Sequence, residues 1–125
     1  MSERIQTYAE FWPFYLREHS RPSTRVLHYV GTTLGVAVGA TAAALRSGWL
    51  VPAALVCAYG FAWTSHFRIE KNRPATFKYP FWSLISDFRM LALAVTGKLP
   101  EHLARAGVST TARPGAAEAS APRAP

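Results

Sequence analysis

Four histidines are the residues of this chain whose type and spacing favour chemistry: His19, His28, His66 and His102. Neutral imidazole binds transition metals and exchanges protons near physiological pH, so histidines brought together favour a metal or acid–base site. His28 lies 19 residues before Ser47, and His66 lies 19 residues after it. This symmetry about one residue predicts that a chain reversal at Ser47 brings the two imidazoles together.

Two long uncharged segments flank that midpoint. Residues 26–45 and residues 48–67 each contain no charged side chain. A helix of about 20 residues spans about 30 Å, which is the thickness of the hydrocarbon core of a bilayer. Since only residues 46–48 remain for the connection, the sequence predicts two transmembrane helices in a tight antiparallel hairpin.

The predicted hairpin places His28 and His66 at the same depth. In an uninterrupted antiparallel pair, positions equidistant from the turn lie level with each other, here at the open end. Pro52, near the start of the second helix, predicts at most a slight kink. Ionisable groups in or at a membrane are energetically costly, so they indicate a functional site.

Two further residues reach the same region by different routes. Glu70 follows His66 by four residues, which places both on one face of a regular helix. His19 precedes His28 by nine residues, but Pro22 between them breaks the helix and allows His19 to fold back. Three imidazoles and a carboxylate can therefore converge, and these donors suit iron with positions left open for substrate and O₂.

Plainer interpretations of these residues stay open. A histidine near a helix end can cap the helix, hydrogen-bond or anchor in the headgroups. Glu70 can pair with a neighbouring cation on a solvated face. A bis-histidine haem site formed by His28 and His66 is a further alternative. His102 lies near the C-terminal tail and is left out of the predicted site.

The distribution of basic residues predicts the orientation. The chain carries a formal net charge of +7. Four basic residues precede the first span, seven lie from Arg68 to Arg105, and Arg46 alone lies in the turn. The positive-inside rule then places both termini in the cytoplasm. The same asymmetry explains the net charge without a nucleic-acid partner.

A signal peptide is a poor interpretation of the first uncharged segment, because its n-region would contain 25 residues and three acids.

The flanking segments predict interfacial helices. Aromatic residues follow helical spacing within residues 5–18, and an apolar stripe runs through residues 80–97. A helix with one apolar face and one polar face lies in the membrane interface. A third transmembrane helix is the alternative for residues 80–97, although Asp87 and Arg89 near its middle count against it.

The predicted fold class is all-α: an integral membrane helical hairpin flanked by interfacial amphipathic helices. Residues 1–106 form a single membrane domain, and residues 107–125, rich in Ala, Pro, Ser and Gly, are predicted to be disordered. Small residues at every fourth position of the first span permit close helix packing, although they also simply fill membrane spans: Gly35, Gly39 and Ala43. Because a two-helix hairpin buries little surface, assembly into a homo-oligomer stays open.

Two segments that carry these residues resemble a known family. They are FWPFYLREHSRPSTRVLHYVGT (residues 11–32) and SHFRIEKNRPATFKYPFWSLISDFRM (residues 65–90). Both are similar to the short bacterial branch of the domain-of-unknown-function 962 family, which comprises 2-hydroxy-palmitic acid dioxygenase-like membrane proteins. The best-known fungal member is a 2-hydroxy fatty acid dioxygenase in phytosphingosine breakdown. The resemblance covers roughly residues 5–100, and its most specific pieces are His19 with His28 and the string His66-x-x-x-Glu70-x-x-x-Pro74-Ala75.

The resemblance implies an Fe(II)-dependent α-oxidation. A 2-hydroxy fatty acid would lose its carboxyl-end carbon to O₂, giving a chain one carbon shorter. The family's essential histidines correspond to His19, His28 and His66. Glu70 matches the motif as a further candidate metal ligand, and Asp87 is the alternative source of a carboxylate.

The resemblance also implies a lipid or fatty-acyl substrate whose acyl chain stays in the bilayer. Its hydroxyl and carboxylate can chelate the iron. Arg25, Arg68 and Arg73 are candidates to neutralise the carboxylate, although each also serves as a positive-inside flanking charge. Ser20 occupies a position at which the fungal pattern commonly has a second histidine, a departure that bears on the substrate more than on the metal. A non-catalytic membrane interaction protein is the alternative function.

Overall fold

The computed structural model describes residues 4–108 and contains five α-helices. In chain order they are α1 (Tyr8–Arg17), α2 (Pro22–Leu45), α3 (Leu50–Ser65), α4 (Pro80–Val95) and α5 (Leu99–Arg105). A π-helical turn, His66–Glu70, continues α3, and a short 3₁₀ turn, Ala75–Phe77, precedes α4. The described residues contain no β-strand, so the predicted all-α class is confirmed.

Local sequence explains where the helices begin and end. Pro22 and Pro80 are the first residues of α2 and α4, where the missing N–H has no helical partner to lose. The N-cap of α1 is Thr7, whose hydroxyl accepts the N–H of Glu10 at 3.2 Å. Arg46 adopts the left-handed conformation, with φ of 51°, and ends α2. Pro22 therefore separates α1 from α2, as the sequence predicts.

Helices α2 and α3 form an antiparallel hairpin connected by residues 46–49. Both are long and apolar enough to cross a membrane, the second including the π-helical turn. Large apolar side chains on their outer faces are exposed, among them Val36, Leu55 and Val56. An apolar surface of this extent is matched by lipid rather than water. The predicted hairpin of two apolar helices that are long enough to span a membrane is therefore confirmed.

The hairpin helices approach each other closely towards their open end. A Cβ added at Gly31 would lie 2.8 Å from the carbonyl oxygen of Ala58. This distance is shorter than van der Waals contact, so any residue larger than glycine would force the helices to shift. At Gly35 the nearest atom would be 3.0 Å away, and at Gly39 it would be 4.0 Å away. The predicted small-residue seam is thus tight at Gly35 and loose at Gly39. Its tightest point is Gly31, one turn from His28.

A second layer packs against the open end of the hairpin. Helix α1 is covered by α4 and α5, and together they form an aromatic and aliphatic core from buried side chains: Phe11, Trp12, Tyr15, Leu16, Tyr79, Met90, Leu99 and Leu103. The indole N–H of Trp12 donates to Nδ1 of His102 at 3.1 Å, which ties α5 to α1. The helix predicted within residues 5–18 is therefore present as α1, and its aromatic face lies inside the protein.

Helix α4 turns small and polar side chains inward and its apolar stripe outward. Ser83, Ser86 and Met90 are buried, whereas Phe81 and Ile85 are exposed. Its 16 residues span about 24 Å, which is shorter than the roughly 30 Å of a hydrocarbon core. Length and orientation therefore favour the interfacial helix over a third transmembrane helix.

Helix α5 was not predicted from the sequence. It has seven residues, too few for an apolar period to be recognised. Val108, which follows it, is also buried against the core. The disorder predicted for residues 107–125 falls mostly on residues 109–125, which lie outside the described part of the chain.

Substitution of Gly31 by alanine tests the close approach of α2 and α3. The added methyl group has to push the helices apart, so we expect the free energy of unfolding to fall by about 1–3 kcal/mol. Gly60→Ala on α3 is the matched control, because a Cβ there meets nothing within 4 Å. Denaturation of the purified protein in mixed micelles, followed by circular dichroism, measures both. Equal losses in the two variants would contradict tight packing at Gly31.

Candidate metal centre

Three histidine side chains meet at the open end of the hairpin. The Nε2 atom of His19 lies 3.0 Å from that of His28 and 3.1 Å from that of His66. The Nε2 atoms of His28 and His66 lie 3.3 Å apart. The exposed fractions of the three residues are 1%, 4% and 2% in chain order. The three nitrogens therefore form a nearly equilateral triangle that is shielded from solvent, at the place to which the spacing points.

His19 reaches the triangle from the break between α1 and α2. The guanidinium of Arg25, itself buried, donates from Nη1 to the carbonyl oxygen of His19 at 2.8 Å and to that of Ser20 at 2.9 Å. These bonds fix the folded-back segment against the first turns of α2. Arg25 therefore positions His19.

His66 begins the π-helical turn that continues α3. Its carbonyl oxygen accepts the backbone N–H of Asn72 at 3.0 Å, and Lys71 takes the left-handed conformation, with φ of 60°. Short π-helical insertions occur frequently at functional sites. Here the insertion brings Asn72 back alongside His66.

The second ring nitrogens of His19 and His66 face hydrogen-bond acceptors. Nδ1 of His19 lies 2.6 Å from the carbonyl oxygen of Tyr15, and Nδ1 of His66 lies 2.7 Å from Oδ1 of Asn72. The amide nitrogen of Asn72 donates to the backbone and carboxylate oxygens of Glu18, which fixes its oxygen towards His66. Each Nδ1 therefore carries the ring proton, and each Nε2 presents a lone pair.

A carboxylate faces the second ring nitrogen of His28. Oδ1 of Asp87 lies 3.4 Å from Nδ1 of His28, an electrostatic contact that lacks hydrogen-bond geometry. The same oxygen accepts the hydroxyl of Tyr15 at 2.5 Å, and the Tyr15 ring stacks on His19 with centroids 4.1 Å apart. Because a carboxylate favours the proton on the nitrogen it faces, Nε2 of His28 also presents a lone pair.

The convergence of three lone pairs suits a cation. If one ion were bound by all three Nε2 atoms at about 2.1 Å, the distances between these atoms would give N–ion–N angles of roughly 90–105°. The cavity beside them is about 10 Å³, close to the space that one water molecule needs. The side chains present therefore fit a transition-metal ion held by three imidazoles on one face.

Burial affects the protonation of His19 and of the neighbouring Tyr15. Burial, followed by the neighbouring His28 and His66, holds the pKa of His19 well below its usual range. Burial, followed by Asp87, raises the pKa of Tyr15 well above its usual value. His19 is thus in the neutral, metal-binding form, and Tyr15 keeps the proton that it donates to Asp87.

Glu70 makes other contacts. Its Oε1 accepts the N–H of Arg21 at 2.7 Å, and its Oε2 accepts the hydroxyl of Ser20 at 2.9 Å. The ligand atoms that lie within 4.8 Å of one another belong to the three histidines. Both carboxylate oxygens of Glu70 are therefore committed to the segment that follows His19. Glu70 as a metal ligand stays a prediction.

The remaining candidates from the sequence lie around the centre. Arg25 is buried and bonded to backbone carbonyls, whereas Arg68 and Arg73 are exposed. His102 bonds Trp12 and is no part of the triangle.

Three residues that orient the histidines were not predicted from the sequence: Tyr15, Glu18 and Asn72. Tyr15 precedes His19 by four residues, a spacing that is visible in the sequence and places the two on one helix face. Glu18 and Asn72 carry no comparable signal, since they meet only because the π-helical turn bends the chain.

The fold and the site define a class of protein: an α-helical membrane hairpin with three buried histidines converging at its open end. Over residues 5–99 the chain matches the family model described as Mpo1-like, 2-hydroxy-palmitic acid dioxygenase Mpo1-like. The chain belongs to this family, which confirms the resemblance seen in its two motif segments. No curated protein and no solved structure matches the chain.

The isosteric substitutions Asp87→Asn and Glu70→Gln test which carboxylate serves the centre. We expect Asp87→Asn to weaken Fe²⁺ affinity about 10–100-fold, because His28 loses the anion that favours its binding tautomer. Glu70→Gln should leave the affinity unchanged, since Glu70 bonds Ser20 and Arg21. Anaerobic Fe²⁺ titration of the purified protein gives both values. A loss confined to Glu70→Gln would instead identify Glu70 as the ligand.

Proposed function

We propose that this chain is a membrane-bound Fe(II)-dependent dioxygenase that shortens 2-hydroxy fatty acids by one carbon. The observation that carries the proposal is the triangle of Nε2 lone pairs from His19, His28 and His66. Membership of a family described as 2-hydroxy-palmitic acid dioxygenase-like supports the substrate class. The two apolar helices support a location where a fatty acid is concentrated.

Bound Fe²⁺ would supply O₂ activation and a chelation site for the hydroxyl and carboxylate of the substrate. Three imidazoles also bind zinc, but zinc has no redox chemistry, so the oxidation requires a redox-active ion, and we propose iron. The reaction balances when a 2-hydroxy acid and O₂ give the shorter fatty acid, carbon dioxide and water.

The protein's own residues prepare this chemistry by holding the ligands in one orientation. The carbonyl of Tyr15, the amide of Asn72 and the carboxylate of Asp87 each face an Nδ1 atom, which directs every Nε2 to the centre. Such outer partners fix ligand orientation before binding. Burial of the histidines excludes bulk water from the triangle.

Arginines near the open end are the proposed partners of the substrate carboxylate. Arg68 and Arg73 are exposed there and carry fixed positive charge. Arg25 is committed to the carbonyls of His19 and Ser20, so its support for the reaction is positional.

The proposed location is a bacterial inner membrane, with both termini in the cytoplasm. The support is the asymmetry of basic residues, which gather on either side of the hairpin's open end while Arg46 alone lies in the turn. The triangle would then lie at the cytoplasmic surface. Assembly into a homo-oligomer stays a prediction.

Two alternative functions differ in what they require of the histidines. Haem bound between His28 and His66 needs space for a porphyrin, whereas the Nε2 atoms are 3.3 Å apart beside a cavity of about 10 Å³. The geometry therefore disfavours haem. A non-catalytic membrane interaction protein needs no metal, and its histidines can be replaced without consequence.

Iron content and O₂ uptake test the proposal. We expect purified protein to bind Fe²⁺ and to consume O₂ with 2-hydroxypalmitate, releasing pentadecanoate. His19→Ala, His28→Ala and His66→Ala should each lose the iron, because removal of one imidazole opens the triangle. Elemental analysis, an oxygen electrode and mass spectrometry of the product give the three readouts.

His102→Ala is the matched histidine control, since His102 contacts Trp12 and not the triangle. It should retain iron and activity per folded molecule. Metal-free wild-type protein with intact helices, or unchanged iron in His28→Ala and His66→Ala, would refute the proposal. A Soret band in the purified protein would favour the haem alternative.

A further inference from the structure

An apolar groove of about 280 Å³ lies between the hairpin and α4. Residues from three helices line it, among them Thr32 and Val36 of α2, Leu55 and Ala58 of α3, and Leu84 and Phe88 of α4. Val36 and Leu55 are 51% and 54% exposed, so one side of the groove opens to the surroundings of the hairpin. In a membrane that side faces lipid.

The groove adjoins the histidine centre. Asp87 lines both the groove and the small cavity beside the three histidines. Thr32 lies one helical turn from His28. Oδ1 of Asp87 accepts the Tyr15 hydroxyl and faces His28, so this carboxylate oxygen is directed towards the centre. The groove is therefore polar where it meets the centre and apolar elsewhere.

The direction of the groove follows the helix axes. Val36 is eight residues beyond His28 in α2, a rise of about 12 Å. Leu55 is eleven residues before His66, a rise of about 16 Å. The groove lining on α2 and α3 thus lies about 6–18 Å from the histidines, on the side towards the turn.

We propose that this groove binds the acyl chain of the 2-hydroxy acid whose head group binds at the three histidines. The inference rests on the proposed function for the identity of the head group. A fatty acid has an apolar chain and a polar group at one end. The groove likewise has an apolar lining and a carboxylate, Asp87, at the end nearest the histidines. Val36 and Leu55 lie at the far end, so they determine the chain length that is accommodated.

Leu55→Trp tests this assignment through chain-length preference. The indole fills the far end of the groove, so several methylenes of a long chain lose their apolar contacts. We expect kcat/KM for 2-hydroxypalmitate to fall about tenfold. The value for 2-hydroxyoctanoate should be unchanged, because the shorter chain does not reach Leu55.

Val56→Trp is the matched control. Val56 is the next residue of α3, is 70% exposed, and adds the same indole to a face outside the groove. Its chain-length profile should equal that of the wild type. If Leu55→Trp and Val56→Trp give the same profile, the groove does not hold the substrate chain.

Photolabelling gives a readout that needs no turnover. The probe is palmitate carrying a diazirine at its methyl end, with labelled peptides mapped by mass spectrometry. We expect labels at Val36 and Leu55, competed by 2-hydroxypalmitate and lost in Leu55→Trp. Labels spread equally over the outer face, including Val56, would show bulk lipid as the occupant and overturn the inference. Competed labelling of the groove in an inactive protein would overturn the proposed function alone.

Discussion

The contact between α2 and α3 at Gly31 is the constraint on which the rest of the structure depends. Only a glycine allows the carbonyl of Ala58 to come so near that backbone. His28 lies one turn from this contact, and a wider crossing would move its ring away from His66. His19 and Asp87 complete the centre from the segments that pack against this pair of helices. The geometry of the centre therefore depends on a helix crossing.

The centre is also held in one orientation by its surroundings. The three imidazole Nε2 atoms lie 3.0–3.3 Å apart, in a site almost closed to water. Oxygen atoms of Tyr15, Asn72 and Asp87 lie behind the rings. The aromatic core of α1, α4 and α5 supports the elements that carry His19 and Asp87. Buried polar groups gathered within a well-packed fold are typical of functional sites.

Part of this arrangement was predictable from the sequence. The uncharged segments and the central position of Ser47 predict the hairpin and the meeting of His28 with His66, and Pro22 predicts the return of His19. The contacts of Glu70 were not predictable, because its partners Ser20 and Arg21 lie about 50 residues away in the chain and meet it only through tertiary packing. The contact of Asp87 with His28 depends on how α4 packs, and α5 is too short to produce a recognisable period. Local periodicity therefore predicts elements, whereas the partners of the ring nitrogens arise from tertiary packing.

The hairpin turn has a consequence for the position of the centre across the membrane. Trp49, 88% exposed, and Arg46 suit the interface opposite the histidines. The distance from this anchor to His28 is fixed by the helix at about 27 Å. Because the length of the hairpin is constant, a mismatch with the thickness of the bilayer changes the depth of the histidines. A thicker bilayer places them below the headgroups, and a thinner one places them closer to water. Lipid composition would therefore adjust the depth of the centre relative to the headgroups, without any change in the protein.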